Sequence, residues 1–231
     1  MMTTKPTDMQ WMFLSYPLTK DTPSFGSGEG IGIQALTKME FGDSCNTSQW
    51  IFPNHLGTHL DFPNHFVRNG KTGSDYNADF FVFNHSWMID LGRVTPGEII
   101  STEHLKDFFI PTEIELLIIK TGFCKNRDKD VYWQNNPGFS PQLADFLKDS
   151  FPDLRVFGFD SISLTSFTHR QTGRKAHKRF LEGERPLLLL EDMDLNNVSK
   201  DSLFKQIIIA PLQVAKTDAS PCTVLALVDN V

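Results

Sequence analysis

Short apolar runs, broken by polar, glycine or proline positions, recur along the whole chain, and few of them carry a helical period. Residues 11–16, 32–40 and 48–53 predict short strands. Residues 80–91, rich in Phe, Val, Trp and Ile, predict one long strand stopping at Gly92. Residues 113–121 contain Leu-Leu-Ile-Ile, too short for a helix and suited to a buried strand. Ser140 followed by Pro141 predicts an N-cap with proline in the first helical position, the helix placing Leu143, Phe146 and Leu147 on one face. Residues 156–160 and 186–190 read as buried strands that run into Asp160 and Glu191, and residues 177–181 as helical. Residues 204–212 and 222–228 supply the last strands. Strands with interspersed helices and no linker predict a single α/β domain over residues 1–231.

Composition narrows the function classes. The chain carries 22 Lys and Arg against 28 Asp and Glu, a net charge of −6, where a nucleic-acid partner would call for a basic excess. Its 20 Phe stand against 3 Tyr and 4 Trp, so most aromatic mass is packing material. Cys45, Cys124 and Cys222 form no C-x-x-C pair and read as reduced thiols. Residues 1–10 lack the apolar core of a signal peptide, and no run reaches the about 18 apolar residues of a membrane span. The expectation is a cytoplasmic protein without membrane or nucleic-acid partners.

The chemistry concentrates in residues 55–66, His-Leu-Gly-Thr-His-Leu-Asp-Phe-Pro-Asn-His-Phe, which hold three of the seven histidines. Imidazole and carboxylate are ligands that Zn²⁺ and Mn²⁺ accept. His55 and His59 have helical spacing, but Gly57 between them and the flanking Pro53 and Pro63 favour extended or turning backbone. In a strand, His59 and Asp61 share one face while Leu60 and Phe62 anchor the other. A turn at Gly57 brings His55 to the same point. Pro63 ends the strand and carries His65 beyond the metal, as acid or base rather than ligand.

This run resembles the H-x-G-T-H-x-D-x-P-x-H-F signature of the metal-dependent cyclase family, which includes bacterial kynurenine formamidases and isatin hydrolases. Weaker likenesses extend along the chain: Ile89-Asp90-Leu91, Lys120-Thr121-Gly122-Phe123, Tyr132-Trp133 through Pro137-Gly138-Phe139-Ser140, and Asp218-Ala219-Ser220-Pro221, where Ala219 replaces a glycine. The resemblance implies a mixed sheet or barrel-like core with flanking helices, of the swivelling β/β/α type. It also implies that His55, His59 and Asp61 hold one metal, that His177 holds a second, and that Asp61 and Glu191 bridge them. Thr22-Pro23-Ser24-Phe25 is similar to the family's T-P-x-W stretch, which makes Phe25 a substrate-binding residue lacking the indole N–H.

The expected function is a metal-dependent amidohydrolase that cleaves a formamide or cyclic amide, N-formylkynurenine among the candidates, with one or two Zn or Mn ions per chain. Alternatives are an isatin-type lactam hydrolase with one metal, or a non-catalytic metal- or small-molecule-binding member of the fold. The retained His65 argues against the last. Assembly as a homodimer or homotetramer is implied by the resemblance alone. The basic residues 170–179 offer to steer a substrate carboxylate, whereas the glycine-rich residues 26–32 lack phosphate-loop spacing and read as a mobile loop. His85, His104 and His169 have no partner pattern and read as structural or exposed.

Overall fold

The computed structural model describes residues 9–229. In chain order the strands are Met9–Phe13 (β1), Gly32–Thr37 (β2), Thr47–Ile51 (β3), His59–Asp61 (β4), Val82–Phe83 (β5), Ser86–Asp90 (β6) and Ile99–Ile100 (β7). Leu116–Lys120 (β8), Gly138–Phe139 (β9), Val156–Phe159 (β10), Leu188–Glu191 (β11), Leu203–Pro211 (β12) and Ala219–Asp229 (β13) follow. The α-helices are Val131–Gln134 (α1), Pro141–Ser150 (α2) and Arg170–Leu181 (α3).

One mixed sheet carries the order β5-β12-β13-β4-β11-β10-β8-β6, with β1 added on β13. Only Asn84 and His85 separate the edge strands β5 and β6 in sequence, so the sheet curls almost to a closed barrel. β6, β8, β10 and β11 run parallel, and every residue of β10 and β11 is buried. Strands buried on both faces read as continuous apolar runs, which is how Val-Phe-Gly-Phe and Leu-Leu-Leu appear in the sequence. Helices α2 and α3 cover this region, the Phe180 ring stacking on Phe157 at 5.0 Å. The short β4 sits in the middle of the sheet, antiparallel to both β11 and β13. The α/β architecture with a barrel-like mixed sheet is the one expected.

Four local expectations change. Residues 80–91 do not form one strand: a 3-10 turn at Ala78–Phe81 precedes β5, and the chain breaks again before β6. The Glu115 carboxylate accepts from the Asn84 and His85 amides at 2.9 and 3.2 Å, satisfying outside any ladder the donors a continuous strand would have used. Phe146 lies off the buried face of α2, which is Leu143, Ala144 and Leu147; its ring meets Phe151 edge-on. Ser140 does precede Pro141 in extended backbone, but its side chain makes no cap bond. Helix α3 also begins at Arg170, seven residues before the expected start at 177.

Candidate metal centre

The site grows from β4. Gly57 takes φ +68°, a left-handed turn whose strain favours glycine, and a Cβ there would also stand 2.5 Å from Leu18 Cδ2, which would have to shift. The turn doubles back so that His55 precedes β4 and points at the same place as its residues. His59 and Asp61 then share one face, while Leu60 and Phe62 are fully buried in the core behind them. Cross-strand pairing sets the next residue, because Glu191 at the end of β11 is the register partner of His59. His177 arrives from α3. There Gly173, one turn earlier, lets the helix back onto Thr165, whose Oγ1 a Cβ would approach to 2.3 Å.

Six predicted residues therefore meet in one place: His55, His59, Asp61, His65, His177 and Glu191. His55 Nδ1 lies 2.9 Å from Asp61 Oδ1, and His59 Nε2 lies 3.4 Å from the same oxygen. The other oxygen, Oδ2, faces His177 Nε2 at 3.7 Å and His65 Nε2 at 3.9 Å. Glu191 divides in the same way, Oε2 lying 3.5 Å from His59 Nε2 and Oε1 3.4 Å from His177 Nε2. Single ligand atoms of His55, Asp61 and His65, and of His59, Asp61 and Glu191, form two groups, each within 4.8 Å.

The donor set fits a divalent cation. His59 Nε2 and both Asp61 oxygens are buried without a hydrogen-bond partner among the described residues. Leaving buried charge unpaired is costly, and a cation among these atoms removes the cost. The outer nitrogens already fix the tautomers. His59 Nδ1 donates to the Gly57 carbonyl at 2.8 Å and His177 Nδ1 to the Gly173 carbonyl at 3.0 Å, leaving each Nε2 lone pair facing the carboxylates. Burial opposes charge on His59, yet Asp61 and Glu191 beside it raise its pKa to about 9. Burial also opposes the ionised form of Asp61, but the His55 and His59 imidazoles hold it well below the usual carboxylate range. Protons thus collect where a cation would bind.

Asp218 is the residue the sequence reading quoted in a motif but did not place in the site. Its Oδ2 accepts from His55 Nε2 at 3.1 Å and His65 Nδ1 at 3.2 Å, and Asn54 donates to Oδ1 at 2.8 Å. The only sequence signal for it was the Asp-Ala-Ser-Pro tail. Asp192 holds the end of β11 in place, its carboxylate gripped by Arg127 Nε and Nη2 at 2.9 and 2.7 Å and its carbonyl accepting from Thr58 beside His59.

The cluster opens into a cavity of about 520 Å³, lined on its apolar side by Phe25, Phe66 and Ile162. Phe25 thus stands beside the site, its ring edge-on to Phe167 at 5.6 Å. The glycine-rich residues form a loop, and Gly26 and Gly28 border this cavity. Arg170 and Arg174 line it as well. His85 and His169 are exposed, and His104 pairs with Glu98 at 3.0 Å away from the site.

Comparison with known proteins agrees with this architecture. The Cyclase family model matches residues 12–165. The chain is 25% identical to the kynurenine formamidase of Bacillus thuringiensis subsp. konkukian (strain 97-27), covering 92% of this chain and 94% of that one. It is 26% identical to Cyclase-like protein 2 of Arabidopsis thaliana, covering 90% and 75%. Among solved structures, isatin hydrolase A from Labrenzia aggregata, bound to benzyl benzoate, shares the fold with a TM-score of 0.78 at 21% identity, covering 96% of this chain and 94% of that one. The chain belongs to the cyclase family.

Proposed function

We propose that this protein is a metal-dependent amidohydrolase cleaving the C–N bond of a formamide or cyclic amide, with N-formylkynurenine, giving kynurenine and formate, as its first candidate substrate. The observation that carries the reading is the buried cluster, in which Asp61 and Glu191 face several imidazole nitrogens while both Asp61 oxygens and His59 Nε2 have no hydrogen-bond partner among the described residues. The kynurenine formamidase relatives support the choice of a formamide.

His55, His59 and Asp61 would hold one cation and His177 a second, with Asp61 and Glu191 between them. Nitrogen and oxygen donors of this kind suit zinc or manganese. The chemistry such ions supply is polarisation of the amide carbonyl and acidification of water. The remaining work falls to the protein. Burial holds the His65 pKa below its ordinary value, so the imidazole is neutral near pH 7. Its Nδ1 donates to Asp218, which leaves the Nε2 lone pair facing the cluster. That atom takes a proton from attacking water and returns it to the leaving nitrogen as the C–N bond breaks. Phe25 and Phe66 offer flat apolar walls to an aromatic group and exclude water from its faces.

No helix among the described residues is long and apolar enough to cross a membrane. We take the working form to be a homodimer or homotetramer. Support comes from the β2–β3 ribbon, which leaves Ile33, Leu36, Trp50 and Ile51 exposed, a poor state for an isolated two-stranded element. The substrate test is turnover of N-formylkynurenine and of isatin by purified protein of known metal content. Preferred release of formate from the former is the expected result. Ring opening of isatin alone would replace the formamidase reading with a lactam hydrolase.

A further inference from the structure

Helix α3 brings more than His177 to the cavity. Arg170, Arg174 and His177 stand at i, i+4 and i+7, a spacing that puts all three on one helix face, and all three line the cavity. Helical rise places the two arginine positions roughly 4.5 and 10.5 Å along the axis from His177. Their side chains lean further toward the helix N-terminus, away from the metal cluster and toward the cavity mouth.

These guanidinium groups differ from the other arginines that make ion pairs. Arg127, Arg155 and Arg179 meet carboxylates at 2.7, 2.7 and 2.5 Å. Arg170 and Arg174 pair with no carboxylate among the described residues, although Glu29 borders the same cavity. Arg170 is nevertheless held in place. Its guanidinium lies 4.2 Å over the Phe167 ring, and that ring is braced edge-on by Phe25 and by Trp133, each at 5.6 Å. Gly26 lies beside the group, since a Cβ there would stand 3.7 Å from Arg170 Nη2. A guanidinium stacked on an aromatic wall and facing a reaction cavity is prepared for a planar anion.

We infer that Arg170 and Arg174 form an anion-binding wall, so that the substrate is an aryl amide carrying a carboxylate one to two helical turns from the bond that is cleaved. This rests on the amidohydrolase reading for the reaction, though not for the binding. The aromatic ring lies against Phe25 and Phe66, the amide reaches the histidine–carboxylate cluster, and the carboxylate stays at the mouth with the arginines. A neutral lactam leaves that wall without a partner.

Two measurements separate the inference from the reaction. The first is calorimetric binding of 3-phenylpropanoate and of its neutral counterpart 3-phenylpropanamide to wild type and to the double variant Arg170→Gln/Arg174→Gln. The carboxylate should bind about tenfold to a hundredfold more tightly in wild type, and the variant should lose that preference. Equal binding in wild type, or a preference that survives in the variant, overturns the arginine wall. The second is formate release from 3-(2-formamidophenyl)propanoate and from the matching primary carboxamide. The acid-to-amide ratio of kcat/KM should collapse toward one in the variant. Formate release from both compounds at equal kcat/KM in wild type removes the anion wall and leaves the hydrolase standing. Carboxylate-selective binding that the variant abolishes, with no formate from either compound, keeps the wall and removes the hydrolase.

Discussion

His59 and His177 reach opposite oxygens of the same carboxylate: Nε2 of the first lies 3.5 Å from Glu191 Oε2, and Nε2 of the second lies 3.4 Å from Oε1. Asp61 repeats the division, with Oδ1 toward His59 and Oδ2 toward His177. One histidine belongs to the central strand β4 and the other to α3, and both carboxylates face the two of them. Two divalent ions about 3.5–4 Å apart repel strongly and need anionic groups between them. The geometry supplies two.

Glu191→Gln keeps the shape of that bridge and removes its charge. Metal content per chain, by elemental analysis, should fall in this variant, with the loss on the His177 side, because the other side keeps His55, His59 and Asp61. A fully active wild type holding one ion per chain would count against a two-ion centre.

His65→Ala should lower kcat by about 10²–10⁴-fold, the usual span for a general acid–base group. Metal content should remain near the wild-type value, since His65 is proposed to move protons and not to bind the ion. Parallel collapse of metal content and activity would make His65 a ligand.

Asp218→Asn leaves the hydrogen-bonding shape but removes the negative charge that His55 Nε2 and His65 Nδ1 both face. Outer partners of metal-binding histidines typically account for a 10–100-fold change in metal affinity. Competition titration with a chromogenic chelator should show a loss of that size. Unchanged affinity would confine Asp218 to orienting His65.

Stability of the metal-free protein should fall as pH rises from about 6.5 to about 9. The His59 pKa, about 9 in the fold, exceeds its ordinary 6.5, so its proton stabilises the folded chain fully below 6.5 and is lost above about 9. His55 and His177 are raised as well, despite burial, by Asp61 and Glu191 respectively, and act in the same direction. His65, depressed by burial, is neutral throughout this window. Melting curves of chelator-treated protein should lose on the order of 5–10 °C across it. Loaded protein should lose much less, because the cation replaces the protons. A flat metal-free profile would contradict the electrostatics described for the cluster.

Parts of this site were legible because their causes are local. Alternation in residues 59–62 separates His59 and Asp61 from Leu60 and Phe62, and Gly57 allows the turn before them. Glu191 was marked by its place at the end of an apolar strand as well as by a resemblance; His177 entered through the resemblance, since nothing nearby in an arginine- and lysine-rich helix marks a buried histidine. The burial depends on Gly173 and Thr165, whose close approach is a tertiary event. Asp218 lies 153 positions from His65, beyond any periodicity. The failed long strand over residues 80–91 has the same origin, since Glu115 on a neighbouring segment takes the amides that would have continued it. Phe146 was misplaced because the apolar face of α2 turns toward Ala144 instead.

The most direct test of the central claim is formate release from N-formylkynurenine by one preparation assayed as purified, after chelation to negligible metal content, and after readdition of zinc or manganese. Activity should disappear with the metal and return with it, and Asp61→Asn should prevent the return. Undiminished activity in protein shown by elemental analysis to be metal-free would contradict the account.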